Sequence, residues 1–158
     1  MRRHEKAIQE ISGIEEIIRR TSVCHLGLAQ DGQPYVVPMS FGYRSRTVYF
    51  HAAREGKKLD ILRQNPRVCV EFESDIAVAR KEHGCAWTMH YRSVIGFGKA
   101  VIIEDERERF EALQLIMRQY AGDDASASDF SPAALERTLL FKVELDDITG
   151  KVSGYPKE

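Results

Sequence analysis

Residues 51–66 join a predicted strand to a predicted helix, and they read HAAREGKKLDILRQNP. Helix-favouring residues occupy 55–64, and Asn65-Pro66 ends the helix. Two cations, Lys57 and Lys58, fall in its first turn, where they oppose the helix dipole. Helix propensity alone would not place them there.

The lysine pair predicts an anion site at the helix start. Backbone N–H groups at a helix N-terminus and two ammonium groups together are well suited to bind a phosphate. The alternative is a solvated lysine pair on an ordinary helix, and the spacing alone leaves both interpretations open.

Before this stretch, hydrophobic residues alternate with a period of two, which predicts strands. Residues 23–29 and 35–41 flank Asp31-Gly32, the strongest short hairpin signal. Pro38 removes a hydrogen-bond donor from the second of these strands, so we expect a sheet edge or a bulge there.

Helices are inserted irregularly among the remaining strands. The sequence predicts further strands at 47–51, 68–73, 94–103 and 139–145, with a turn at 43–46 and a loop at 122–131. Helices are predicted at 13–20, 55–64, 104–120 and 132–137. A capping box, Ser12-x-x-Glu15, is predicted to begin the first helix. Five or six strands joined mostly by hairpins predict an α+β fold centred on a small antiparallel β-barrel with flanking helices. We expect residues 1–158 to form one domain.

The composition excludes several classes of protein. A chain of 158 residues with 43% hydrophobic and 30% charged residues is globular rather than disordered. Its formal net charge of -1 argues against a nucleic-acid binder. The uncharged stretch 32–43 is too short to cross a bilayer, and the N-terminus lacks the apolar core of a signal peptide. Three cysteines without a CxxC pair suit a reducing compartment, so we expect a cytoplasmic protein.

Two further stretches could contact a ligand. Residues 34–43 are uncharged and contain a proline, as would suit a flat ligand along a strand edge, although a buried core strand is the other interpretation. Trp87 and Tyr91 could stack on a ring, while Gly96 and Gly98 could let a backbone approach it or mark a bulge. Aromatic residues at such positions more often belong to the core.

His51 is the candidate catalytic residue, because an imidazole can donate or accept a proton near neutral pH. The alternative is a histidine that is hydrogen-bonded at a strand end. His83, Cys85 and His90 are conceivable metal ligands, but no second Cys/His pair completes a zinc pattern. We therefore expect no metal site.

Taken together, these stretches resemble the FMN-binding split-barrel superfamily typified by pyridoxamine 5′-phosphate oxidase, and within it the nitroimidazole-resistance branch. The likeness extends from about Ile14 to Tyr120. The segments that carry it are Pro34-x-Val-Val-Pro38-x-x-Phe41-Gly-Tyr43, Tyr49-Phe-His-x-Ala53, Glu55-Gly-Lys-Lys58, Asn65-Pro66 and Tyr91-Arg-Ser-Val-Ile-Gly-Phe-Gly-Lys-Ala100.

The resemblance implies that FMN binds at the interface of a homodimer. Its cofactor-binding strand corresponds to Val36, Val37, Pro38, Met39, Ser40 and Phe41. His51 and Ala52 correspond to the next strand end, near the ring edge and the phosphate, and Lys57 and Lys58 to the basic pair that holds the phosphate. Ser93 takes the place of a glutamine that touches the flavin in the oxidases, and Arg92 precedes it. Trp87 is a further candidate cofactor-binding residue, because it could stack on the flavin ring.

The sequence also departs from the oxidases. Their flavin strand begins and ends with a basic residue, where this chain has Val36 and Phe41, and their C-terminal substrate segment is absent from 143–158. The resemblance therefore favours a reductase of small nitroaromatic or quinone-like acceptors over oxidation of vitamin B6. The alternative is an FMN or haem carrier or sensor without catalysis, in which His51 or His90 could be an axial ligand.

Overall fold

An open, eight-stranded antiparallel sheet forms the centre of the computed structural model, which describes residues 4–122 and 132–156. The strands are β1 (Ala7–Ile8), β2 (Cys24–Gln30), β3 (Gln33–Met39), β4 (Gly42–Arg44), β5 (Thr47–Ala53), β6 (Arg67–Ala79), β7 (Thr88–Ile102) and β8 (Thr138–Ser153). The helices are α1 (Ile11–Arg20), α2 (Lys57–Gln64), α3 (Glu106–Ala121) and α4 (Pro132–Arg137), with short 3₁₀ turns at His4–Lys6 and Gly84–Ala86.

The strand order is β3-β2-β6-β7-β8-β5-β4, and β1 adds to β8. The two edge strands, β3 and β4, do not pair with each other, so the barrel is split rather than closed. This confirms the predicted α+β fold with an antiparallel split barrel and flanking helices. In the part of the chain that the structure describes, no helix has the length and apolarity of a membrane span.

Two tight hairpins set the local register. Asp31 and Gly32 have φ values of 51° and 79° and connect the paired residues Gln30 and Gln33, as the sequence predicted. Where only a turn was predicted at 43–46, a second hairpin turns at Ser45-Arg46 and makes β4 a strand. With β1 it raises the number of strands from the predicted five or six to eight.

Four strands, β5, β6, β7 and β8, are longer than their local sequences predicted. Pairing on both sides extends β8 to Ser153, past Asp146-Asp147, because its residues gain ladder partners in β7 and β1.

The predicted capping box is wrong: α1 begins at Ile11, so Ser12 lies inside its first turn, and the N-cap Glu10 makes no side-chain bond. The predicted loop at 122–131 falls almost wholly on 123–131, outside the described residues.

Two buried clusters hold the helices on the sheet. The larger fills the barrel with side chains from the strands together with Ile14, Ile17 and Ile18 of α1 and Leu59, Ile61 and Leu62 of α2. The smaller lies under α3, whose Ala112, Leu113 and Ile116 pack on Tyr49, Ile103 and Leu140. Phe110 of α3 lies outside this cluster and is 42% exposed.

The glycines of β7 permit a close approach by the chain's own β8. A side-chain carbon added at Gly96 would lie 2.9 Å from Leu145, and the pairing of β7 with β8 shifts register between Phe97 and Gly98. The bulge, one of the two interpretations of these glycines, is therefore confirmed. The close approach comes from β8: the Leu145 side chain at Gly96 and the Glu144 carbonyl at Gly98.

Candidate functional site

The start of α2 presents two cations and free helix-end amides. Gly56, the N-cap, has φ 122° and ψ 162°, a conformation that side-chain-bearing residues rarely adopt. The first bonds of the helix join the N–H groups of Leu59 and Asp60 to the carbonyl of Gly56. The N–H groups of Lys57 and Lys58 precede these bonds, so they belong to the positive end of the helix dipole.

The two ammonium groups point to different neighbours on β3. Lys57 Nζ lies 4.7 Å from the centroid of the Tyr35 ring, and Lys58 Nζ lies 2.9 Å from the sulfur of Met39. Within residues 4–122 and 132–156, no carboxylate lies within salt-bridge distance of either ammonium. No carboxylate among the described residues therefore compensates their positive charge.

Lys58 is half-buried, and burial lowers its pKa below the usual value. A charge that is partly removed from water without a counter-charge is unfavourable, and an anion would relieve that cost. The donor set at the start of α2 thus fits a phosphate dianion: two ammonium groups, two backbone N–H groups and a helix N-terminus. This is the arrangement that the sequence predicted for this segment.

His51 belongs to the same corner of the molecule. It lies near the end of β5 and precedes the loop that leads to Gly56. Partial burial and, second, the charge of Lys58 lower the pKa of His51 from its usual value, which favours the neutral imidazole. A neutral imidazole beside a cation can accept a proton or donate a hydrogen bond. Its neighbour Ala52 is half-buried against the main core.

The candidate cofactor strand is the exposed edge of the sheet. Val36 is 61% exposed and Pro38 is exposed, while Val37 packs on the core and Met39 is buried. As an edge strand, β3 leaves backbone groups on one side free for a ligand. The expected edge position of Pro38 is confirmed.

The last two residues of the predicted cofactor set on this strand are less accessible. Ser40 is half-buried. Phe41 is fully buried, with its ring 5.0 Å from that of Phe72 and its amide donating to the hydroxyl of Tyr120 at 3.0 Å. The Phe41 side chain is therefore part of the hydrophobic core.

A second group of predicted residues lies at the opposite end of β8. His51 pairs with Leu140, whereas Arg92 pairs with Val152, twelve residues further along that strand. At about 3.3 Å per residue this is about 40 Å of extended strand. One chain therefore does not bring Arg92, the adjacent Ser93 and Trp87 to the start of α2.

The contacts of the second group are internal. Arg92 Nη1 donates to Asp75 at 3.0 Å, and its guanidinium lies 5.0 Å from the Tyr155 ring. Trp87 is 47% exposed and donates from its ring nitrogen to the Lys81 carbonyl at 2.9 Å. Ser93 is half-buried on β7.

Some residues of this region were not identified from the sequence as candidates. Tyr35 contacts Lys57, and only its alternation with Val37 and Met39 could have indicated that it faces the same way. Asp75 binds both Arg20 and Arg92. No local signal could have found that cluster, because the three residues are far apart in sequence.

The cysteines and histidines do not assemble into a metal centre. Over residues 4–122 and 132–156, no three His, Cys, Asp or Glu side chains gather closely enough to hold a metal ion. The three cysteines are free thiols, and burial raises the pKa of Cys24 to about 12, so this thiol is unreactive.

The structure is a split β-barrel with a positively charged corner at a strand-to-helix junction. Comparison with known families agrees: the model of the pyridoxamine 5′-phosphate oxidase family matches residues 11–152. The chain belongs to the pyridoxamine 5′-phosphate oxidase family.

Individual relatives share the whole domain. The crystal structure of a candidate 5-nitroimidazole antibiotic resistance protein from Bacteroides thetaiotaomicron is 37% identical, covers 92% of this chain and 86% of its own, and superposes with a TM-score of 0.80. The flavocytochrome Anf3 from Azotobacter vinelandii is 20% identical, with a TM-score of 0.83 over 100% of this chain and 74% of its own, and shares the fold. An uncharacterized protein of Rhizobium meliloti (strain 1021) is 22% identical over 87% of this chain and 88% of its own.

Proposed function

We propose that this protein is a flavoprotein that binds FMN, with the phosphate at the start of α2. The observation that carries the proposal is that Lys57 and Lys58, which follow Gly56 at the N-terminus of α2, have no carboxylate partner among the described residues. The edge strand β3 would run beside the flavin, because it offers free backbone groups and a flat apolar surface at Val36 and Pro38. Several proteins of the same fold are described as flavin-binding, among them the FAD and heme binding protein from Mycobacterium smegmatis.

We further propose that the site is completed by a second copy of the chain. The predicted residues fall into two groups at opposite ends of β8, and a twofold arrangement would bring one copy's Trp87, Arg92 and Ser93 to the other copy's α2. The outward face of β7 supports this, because Ile95, Phe97 and Val101 lie on it and are 40%, 43% and 51% exposed, with Lys99 between the last two. An exposed apolar row on a central strand is typical of a surface that a partner covers.

The proposed activity is reduction of small nitroaromatic or quinone-like acceptors. FMN supplies the hydride or electron transfer when bound. The chain would hold the phosphate through Lys57 and Lys58, and would shape an open face for the acceptor along β3. His51, whose pKa is lowered by partial burial and by the charge of Lys58, would accept a proton or donate a hydrogen bond near the ring edge. The relative from Bacteroides thetaiotaomicron, described as a candidate 5-nitroimidazole resistance protein, supports this acceptor class.

The purified protein tests the proposal directly. After addition of FMN and removal of the excess, we expect two broad flavin absorbance bands at one flavin per chain and a dimer by light scattering. We then expect turnover of a nitroaromatic or quinone with a nicotinamide reductant. Bound flavin without turnover would favour the alternative of a carrier or sensor, and a sharp Soret band in the isolated protein would favour haem. Failure to bind any flavin would refute the proposal.

We place this activity in the cytoplasm. The three cysteines are free thiols, which is the state that a reducing compartment maintains.

A further inference from the structure

A histidine–carboxylate pair lies on the outer face of the sheet, one strand away from the edge strand β3. The Nδ1 atom of His25 on β2 lies 3.1 Å from a carboxylate oxygen of Glu71 on β6, and both side chains are partly exposed. Leu26 and Val70, which follow and precede them along the strands, are fully buried, so His25 and Glu71 point away from the core. The two residues are direct cross-strand partners, so the backbone register holds them together.

The register also places this pair next to the surface proposed for the flavin. His25 pairs with Pro38 of β3 on one side and with Glu71 on the other. Direct cross-strand partners lie about 4.5–5.5 Å apart on the same face of a sheet, so the imidazole lies beside the ring of Pro38. A flavin ring that lies over Val36 and Pro38 would therefore have His25 at its border.

Gly27 keeps the adjoining part of this face flat. It pairs with Val36 of β3 and with Cys69 of β6. A side-chain carbon added at Gly27 would lie 3.4 Å from the carbonyl oxygen of Cys69 and 3.5 Å from its Cβ, which are ordinary contacts, so packing does not require a glycine here. A glycine inside a strand often marks a place where a ligand approaches closely. A flat floor bordered by an imidazole suits a planar ring.

A cleft of about 400 Å³ begins at His25 on the side away from Gly27. Val23, two residues before His25 on the chain, and Ile76 line it with exposed apolar side chains. The volume of the cleft lies in the range of small-molecule pockets. It has room for a small aromatic acceptor, and His25 would lie between that acceptor and the flavin surface.

The charged groups near His25 come from β6 and from the end of α1, because β3 carries none. Glu71 contacts the imidazole, Glu73 is exposed at the cleft, and Asp75 is bound by Arg20 at 2.7 Å. Burial raises the pKa of Glu71, its hydrogen bond with His25 opposes that rise, and the charge of Glu73 adds to it. Glu71 is therefore the carboxylate that orients the ring. Because it engages Nδ1, the other ring nitrogen, Nε2, is the one that can face an acceptor.

We propose that His25, oriented by Glu71, donates the proton to an aromatic acceptor bound in this cleft. The inference rests on the proposed function, because it takes a flavin along β3 as given. Reduction of a quinone to a hydroquinone takes up one hydride and one proton. The hydride comes from the flavin after its reduction by the nicotinamide reductant, and the proton passes from Nε2 of the protonated His25 to a quinone oxygen. The neutral imidazole then regains a proton from water.

The first test measures the oxidation of the reduced flavin in the FMN-loaded protein by tetramethyl-p-benzoquinone, without oxygen. The ring carbons of this quinone are all substituted, so the free thiols of the protein do not add to it. His25→Gln should slow this step by about 100-fold, the lower end of general acid catalysis, because the cleft is open to water. His83→Gln, at an exposed histidine, should behave as the wild type.

The pH profile of the same step separates proton transfer from a structural role. The wild-type rate should fall as the pH rises, because only a protonated imidazole can donate, and His25→Gln should lose that dependence. Glu71→Gln should slow the step less than His25→Gln and change the profile, whereas Glu144→Gln, at an exposed carboxylate of β8, should change neither.

The second test needs no turnover. Gly27→Val places a branched side chain on the flat floor and should weaken FMN binding by about tenfold or more, measured by titration of flavin fluorescence. The free energy of unfolding of the flavin-free variant should not fall, because a β-branched residue suits a strand better than glycine does. His25→Gln should keep its FMN affinity within about threefold of the wild type, since the phosphate site is intact.

The outcomes separate this inference from the proposed function. An unchanged rate or pH profile in His25→Gln, an equal loss of rate in His83→Gln, or full FMN affinity in Gly27→Val would overturn the inference. So would a loss of FMN affinity in His25→Gln as large as its loss of rate. In each of these cases FMN binding and quinone reduction by the wild type would leave the proposed function standing. Absence of FMN binding by the wild type would overturn the proposed function itself.

Discussion

Replacement of Lys58 by methionine should stabilise the free protein and weaken its binding of FMN. The Lys58 ammonium is half-buried, lies 2.9 Å from the sulfur of Met39, and has no carboxylate partner within the described residues. Burial lowers its pKa, which means that the folded protein disfavours the charge. Methionine has a similar length and no charge, so Lys58→Met removes that cost while filling the same space.

The two effects differ in size. A hydrogen bond to a charged group contributes about 1.5–3 kcal/mol, so loss of the ammonium should weaken FMN binding by about 10- to 150-fold. The free energy of unfolding of the flavin-free protein should rise by on the order of 1 kcal/mol or less, because Lys58 is only partly removed from water. A residue kept for stability alone would give the opposite sign in the second measurement.

Urea unfolding of the flavin-free protein and titration with FMN measure the two quantities, and Lys142→Met is the matched control. Lys142 Nζ lies 2.6 Å from Glu108, whose hydrogen bond raises the lysine's pKa, so its loss should lower the free energy of unfolding by up to about 1 kcal/mol. FMN affinity should not change in this control. The reasoning is refuted if Lys58→Met lowers stability as the control does, or if its FMN affinity stays within twofold of the wild type.

Three further predictions concern the backbone, pH and the sheet face. Gly56→Ala should lower the free energy of unfolding in urea by about 1–3 kcal/mol and weaken FMN binding, because φ 122° strains any residue that carries a side chain. The control is Gly84→Ala, which lies in open space without a positive φ and should change the free energy of unfolding by less than about 0.5 kcal/mol. The folded-state pKa of His51 is lowered, so the unfolded chain binds a proton first and stability should fall as pH drops below about 6.5. His51→Gln should therefore reduce the difference between the melting temperatures at pH 7.5 and pH 5.5. An unchanged difference would contradict this. Phe97→Glu should shift the proposed dimer toward monomer in light scattering, whereas Phe110→Glu, equally exposed on α3, should not; a dimer in both variants would contradict the assignment of the β7 face.

Local sequence was sufficient for features that depend on a few neighbouring residues. Asp31-Gly32 adopts the positive φ values that a two-residue hairpin requires, so its turn could be predicted without knowledge of the rest of the chain. The start of α2 is similar, since Gly56 and the two lysines define a helix end that carries positive charge. The lysine segment also carries part of the resemblance to the family, whose split-barrel fold the structure confirms, while its role in phosphate binding stays a prediction.

The tertiary structure decided which of the predicted residues lie near one another. Lys57 contacts Tyr35 and Lys58 contacts Met39, and both contacts depend on how the edge strand β3 is placed against α2. The same register of strands places Arg92 at the far end of β8, beside Asp75, and so divides the predicted site into two parts. Helix ends and turns are local, so the sequence alone was enough to predict the kind of site. Pairing between distant strands determined that one chain does not bring all of the predicted residues together.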